Sequence, residues 1–224
     1  MKKYEFTGET KRVELWNRTA TLHRIKATVE FGFVKVGELG GWIEKEENLS
    51  HEGKAWVCGD AKVCGDAEVW GNAEVWGNAE VWGNAKVCGD AKVCGDAEVW
   101  GNAKVCGDAK VCGDAEVCGD AKVCGDAEVW GNAKVCGDAE VCGDAEVFLA
   151  SHVLVMGSVG SRNDFTTFFR DKDNEITVKC GCFLGKIDKF LEKVTQTHGN
   201  NKYALVYRAA VEVAKLQIEL TERK

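Results

Sequence analysis

An all-β solenoid is the fold class this chain predicts, and three observations carry that expectation. From Ala55 to Asp144, fifteen hexapeptides follow without a gap, each reading Ala-(Lys/Glu)-Val-(Cys/Trp)-Gly-(Asp/Asn), with Trp56 in the charged slot of the first. Within each unit, alternation places Ala and Val on one side of an extended segment and the charged residue and Cys or Trp on the other. Gly followed by Asp or Asn then supplies permissive backbone for a corner. A unit this small buries nothing alone and must stack on copies of itself. A six-residue period also suits no helix, because an apolar stripe would drift around the axis, whereas β-branched Val suits a strand.

The repeat resembles the hexapeptide-repeat left-handed β-helix family, in which three hexapeptides make one triangular coil. That resemblance implies five full coils, with Val pointing inward and Ala filling the tight corners. Parallel coils about 4.8 Å apart would make the regular part roughly 24 Å tall. Related acyltransferases form trimers, so the resemblance also implies a homo-oligomer.

Three segments follow. Residues 1–54 do not repeat, contain strand-like runs such as Val29-Glu30-Phe31-Gly32-Phe33-Val34, and are read as a β cap, because an open solenoid end exposes unpaired backbone. The stretch from Leu39 through Trp56-Val57 is similar to the N-terminal part of bacterial and prophage hexapeptide-repeat proteins, an acetyltransferase-like group. Residues 55–156 form the β-helix, its pattern decaying after Ala145 into a partial sixth coil. Residues 157–224 predict a ββαα module. Phe165–Arg170 and Ile176–Cys180 read as a hairpin around polar Asp171–Glu175. Ile187, Phe190, Leu191 and Val194 fall at helical spacing, His198-Gly199 stops that helix, and Asn200 or Asn201 caps a second one running to about Leu220. Its Gly160–Asp164 and Cys180–Phe183 runs resemble a C-terminal module found in phage and prophage proteins.

Composition agrees with this plan. Pro is absent among 224 residues, as suits strands that all need N–H donors. The net charge of −7 is concentrated in the corners, where the fifteen units hold ten Asp. No apolar run reaches membrane-spanning length, and the charged start Met1-Lys2-Lys3-Tyr4-Glu5 is not followed by a signal-peptide core, so a cytoplasmic protein without a membrane partner is expected, in the host cytoplasm if phage-encoded. Ten of the twelve Cys occupy one repeat slot, and with no export signal they are read as reduced thiols.

Stacking converts the repeat into columns. Cys88, Cys106, Cys124 and Cys142 line one face beside Lys86, Lys104 and Lys122. Trp82 over Trp100 and Cys118 over Cys136 share a second. Trp56, Trp76 and Trp130, with Cys94 over Cys112, share the third. A thiol ladder could share soft metal ions; duplication of a Cys-tolerant cassette explains it more simply, so no metal and no cofactor are expected. The columns of Trp76, Trp82, Trp100 and Trp130 are candidate oligomer or partner faces, or else stacked rings covered by Lys and Glu stems.

Catalysis finds little support. Hexapeptide acyltransferases and zinc carbonic anhydrases use histidines on the coil, and the only ones here, His23, His51, His152 and His198, lie in the flanks. Enzyme status stays open, leaning against. Direct nucleic-acid binding is not expected of an acidic rod. Varied polar chemistry gathers instead in the C-terminal module, at Arg162, Asn163, Asp164, Arg170, Cys180, Cys182 and His198, where the Gly157–Arg162 loop could meet an anion. Cys180 and Cys182 fall on one strand face by period two. The expected function is a non-enzymatic binding or scaffold protein of phage or prophage origin. In it the β-helix is spacer and oligomeriser, and the C-terminal module engages an unknown protein or small anionic ligand. Two alternatives stand beside it: a phage inhibitor sequestering a host defence protein or nucleotide, acidic nucleic-acid mimicry included, and an acyltransferase-related enzyme with its site outside the repeats.

Overall fold

The computed structural model describes residues 2–15 and 18–220. A hairpin of β1 (Tyr4–Leu15) and β2 (Arg18–Ala27) leads through β3 (Leu39–Ile43) into sixteen two-residue strands, β4 to β19, recurring every six residues from Trp56–Val57 to Glu146–Val147. The chain then forms β20 (Val153–Val159), β21 (Asp164–Arg170), β22 (Ile176–Cys180), β23 (Phe183–Lys186), α1 (Ile187–His198) and α2 (Lys202–Gln217).

Each repeat strand from β4 to β16 pairs in parallel with the one eighteen residues on, as Lys104 does with Lys86 and Lys122, so three hexapeptides make one coil and three sheets flank a single interior. The face that begins with Trp56–Val57 holds six strands, the sixth being the partial coil at Glu146–Val147. Each unit as far as residues 103–108 sends three N–H groups to the next coil, as Lys62 N does to Ala79 O, Cys64 N to Val81 O and Asp66 N to Gly83 O, at 2.8–3.0 Å. Proline at any of these slots would delete a rung. Val and Ala fill the interior: in the fifteen units neither is more than 1% exposed.

Corner Gly residues hold φ between +64° and +76°, where a Cβ is disfavoured. The Asp/Asn alternation has a physical account as well. Asn84 Nδ2 donates to Asn102 Oδ1 and Asn102 Nδ2 to Asp120 Oδ1, each at 2.9 Å, so an Asn gives the carboxylate above it a donor. On the faces, Lys110–Glu128 at 2.8 Å and Lys122–Glu140 at 2.6 Å bridge adjacent coils. Such exposed pairs contribute little each.

Parallel stacking starts earlier than the six-residue period. Ile43 sits under Val63 and Leu49 under Val69, a step of twenty residues, so residues 39–49 already belong to a coil that carries two extra residues before Trp56. Buried Asn48 replaces a corner there, donating to Gly65 O and Ala67 O and accepting from Glu44 N and Lys45 N. The β1–β2 hairpin closes the edge of β3 and also lies on the outer face, where Ala20 and Leu22 cover Trp42 and Cys64, and Val13 and Leu15 join Trp82. Lys3 reaches Ala55 O, and burial pulls its pKa down to about 8.

At the other end, the four-stranded antiparallel sheet β20-β21-β22-β23 is a lid. Alternation splits it: Phe169, Val153 and Val155 join the solenoid interior, while Phe168, Val178, Leu154 and Met156 pack on the helices with Phe190, Val194 and Tyr207. The sequence pattern predicts two strands here, and the structure adds two. Val153–Val159 alternates as readily in an antiparallel edge as in a decaying coil, and Phe183–Lys186 is too short to stand out. Asn201 caps α2, its Oδ1 accepting from Tyr203 N and Ala204 N.

His152 is fully buried at this junction, its Nδ1 accepting weakly from Phe148 N and its Nε2 without a hydrogen bond. Burial, with the Arg170 cation beside it and Glu146 opposing, lowers its pKa to about 4. The unfolded chain therefore takes up this proton near pH 6.5 and the folded protein only near 4. Stability is full above pH 6.5 and falls by about 3 kcal/mol towards pH 4. Urea midpoints of the native chain and of His152→Phe, compared at pH 7.5 and 5, should converge in the variant's favour as pH drops; parallel curves would refute this source of acid lability.

Candidate functional site

The C-terminal module holds an open cavity of about 340 Å³ between the β20–β21 turn, the β22–β23 turn, α1 and α2. Gly160 starts the first turn with φ +76°, and a Cβ there would lie 1.9 Å from the Tyr207 hydroxyl, so glycine lets α2 pack onto the loop. Asn163 takes the left-handed turn position at φ +54°. The second turn is Gly181-Cys182, held between paired Cys180 and Phe183, with the Arg162 guanidinium lying 3.0 Å from where a Gly181 Cβ would be.

An aromatic floor results. Phe190 meets Phe183 at 5.4 Å and the edge of Tyr207 at 5.5 Å, and the His198 ring stacks on Tyr207 at 5.9 Å. Around it stand Arg162 and Lys193 as cations, His198 with its Nε2 3.5 Å from Ser161 Oγ, and Asp164 as the single acid. Burial raises the Tyr207 pKa, assisted by Cys180, whose Sγ lies 4.0 Å from the hydroxyl, so the phenol stays protonated at neutral pH. Such a pocket suits a flat apolar body with one anionic group.

Five of the seven singled-out polar residues line this cavity: Arg162, Asp164, Cys180, Cys182 and His198. Two do not. Asn163 shapes the turn and faces solvent. Arg170 is a correction: it is 3% exposed and donates from Nη1 to the Glu146 carbonyl and carboxylate and from Nε to Asn174 Oδ1, over the Phe148 ring. It fastens the module to the last coil and is closed to a partner. Cys180 and Cys182 also differ from expectation. They do not share a strand face, because Gly181, at φ +56°, turns the chain between them and leaves Cys182 exposed. Lys193 and Tyr207 are not singled out by the sequence, and Phe183 and Phe190 enter only as part of a run and of a helical stripe, although Lys193 and Thr197 follow Phe190 at i+3 and i+7 and so had to flank the buried stripe of α1.

The tryptophan columns are largely occupied by neighbours. Trp82 and Trp100 stack at 5.1 Å with 6° between planes, Trp130 leans on Phe148 at 5.2 Å, and Lys92 approaches the Trp76 ring at 6.0 Å. A second hollow of about 460 Å³ separates the solenoid from the module, bounded by Lys104, Lys122 and Lys179 against Asp120, Asp138 and Glu140. Lys179 and Lys122 both bind Glu140, so its charges are largely spent on one another.

The expectation of reduced thiols needs one correction. Cys118 and Cys136 form a disulfide across adjacent coils, with Cα atoms 4.6 Å apart. Stacking in register brings equivalent Cys within the Cα range that a disulfide spans. The other ten are free. Among the described residues no three Cys, His, Asp or Glu side chains converge as metal ligands, and no helix is long and apolar enough to cross a membrane. No family model and no curated protein matches the chain.

Proposed function

We propose that this chain is a non-enzymatic binding protein, acting in the cytoplasm, in which a stiff solenoid carries a recognition module at its C-terminal end. One observation supports it above others: five of the module's varied polar residues line one aromatic-floored cavity on a rigid support, whereas the repeat offers near-identical chemistry along its length. Arg162 and Lys193 hold the anionic part of a ligand or of a partner's side chain, and Phe183, Phe190 and Tyr207 receive its apolar part. The solenoid acts as spacer and as the surface through which copies associate. A phage or prophage origin rests on the resemblance of the two ends.

A second reading, an acyltransferase-related enzyme with its site outside the repeats, draws on Ser161 and His198. Their 3.5 Å separation is long for an activated hydroxyl, and among the described residues no acidic side chain bonds the imidazole. Binding is therefore the better reading.

Native mass spectrometry of the full chain purified from cells tests it by reporting ligand and oligomer together. Wild type and a Lys110→Ala control should retain the same bound species, and Arg162→Ala/His198→Ala should retain it at least about tenfold more weakly, as removal of charge-assisted bonds requires. Equal retention by the double variant would move recognition elsewhere.

A further inference from the structure

We infer that the solenoid carries three further redox-active thiol pairs, Cys124–Cys142, Cys88–Cys106 and Cys94–Cys112, which close as cross-coil disulfides in exchange with a small-molecule disulfide of the glutathione type. Three observations carry this. First, the pairs share the parallel, eighteen-residue register of Cys118 and Cys136, whose bond is already formed: their coils are held by Lys104 with Lys86, Lys122 with Glu140, and Lys92 with Lys110. Second, the columns themselves select partners. Cys94 and Cys112 stack on each other between Trp76 and Trp130 and have no other thiol neighbour in their column. In the column of four, closing Cys88 on Cys106 and Cys124 on Cys142 leaves no thiol without a partner, whereas a Cys106–Cys124 bond would strand both ends. Third, the thiols are on the outside of the coil, most of them half-buried, where a small disulfide can reach them.

The exchange balances as follows. A thiolate of the pair attacks one sulfur of the small disulfide, forming a mixed disulfide and expelling one thiolate. The second Cys loses its proton to that departing thiolate and attacks the protein-bound sulfur, so that one protein S–S bond forms, one small disulfide is reduced, and two small thiols leave. Cys124 is the sulfur best placed to start. The hydrogen bond from Cys142, helped by Lys179 and Lys122, lowers its pKa to about 7, while that of Cys142 rises. The Cys124–Cys142 rung therefore closes first.

A fully reduced sample of the whole chain, titrated through glutathione redox buffers, quenched with acid and alkylated, tests this by the number of protected thiols in the intact mass, because the tryptic peptides holding Cys88 and Cys106, and those holding Cys94 and Cys124, are identical in sequence. The native chain should protect the three pairs in addition to Cys118–Cys136, reversibly with reductant, and Cys88→Ser, Cys94→Ser and Cys124→Ser should each lose one protected pair. The thermal midpoint by circular dichroism should rise reversibly by at least about 5 °C, since each rung closes a loop. Cys124→Ser should abolish the first rung and leave Cys88–Cys106 closing as before; if that variant folds poorly, the number of protected thiols in the native chain still decides. Linkage only at Cys118–Cys136, a dominant Cys106–Cys124 link, single glutathione adducts that never resolve, or stoichiometric metal held by the thiols would each overturn the inference.

Discussion

Gly107→Ala should strongly destabilise the solenoid, while the same substitution at Gly137 should be tolerated at moderate cost. Both corners have left-handed backbone, at φ +76° and +68°. A Cβ on Gly107 would lie 3.0 Å from N and 3.1 Å from O of Gly125 in the next coil, whereas one on Gly137 meets nothing within 4 Å. The Gly137 variant therefore loses only the left-handed penalty, about 1–2 kcal/mol. Gly107→Ala adds overpacking of roughly 1–3 kcal/mol against backbone held in a hydrogen-bonded ladder. Paired urea melts decide it. Equal losses at the two sites would mean that coils are not packed backbone to backbone at their corners.

The second large effect is expected at Arg170, in the seam between rod and module. Its side chain is 4% exposed and that of Glu146 15%, and removing one member of such a buried pair costs about 3–5 kcal/mol. Arg170→Ala should loosen the β20–β23 lid before the coils melt, seen as faster amide exchange in β21 and in the last coil. Lys172→Ala, whose pair with Asp144 is well exposed, should leave exchange unchanged. Identical exchange in both variants would remove Arg170 from this role.

The repeat and its three-sided coil were legible because each position has one physical duty: Val inward, Gly at the corner, N–H groups up the ladder. Arg170 was misread for the opposite reason. A strand-end arginine before a polar turn looks free in sequence, and only the docking of β21 on the final coil brings Glu146 beneath it. Cys118 and Cys136 show the same limit. The eighteen-residue step put them in one column at a spacing common to every stacked pair, but whether neighbouring thiols join depends on how their side chains turn and on the redox state, which the period does not give. In the candidate site, Arg162, Asp164, Cys180, Cys182 and His198 stood out by chemistry. The aromatic floor did not, since Phe190 and Tyr207 at helical spacing look like ordinary core, which in part they are.

Two features at the ends of the rod, Asn48 with the two extra residues after it and the β20–β23 lid, have a consequence for how the chain finds its shape. Because any hexapeptide can lie on almost any other, a nascent chain can stack correctly in every local detail while shifted by a whole coil. Nothing inside the repeat distinguishes that isomer. The non-repeating ends do, since a shifted stack leaves one lid without its seat or forces a coil to bulge outward. They act as rulers: the ends measure the length of the stack, and the slowest step of folding should be the search of misaligned stacks for the one count of coils that seats both.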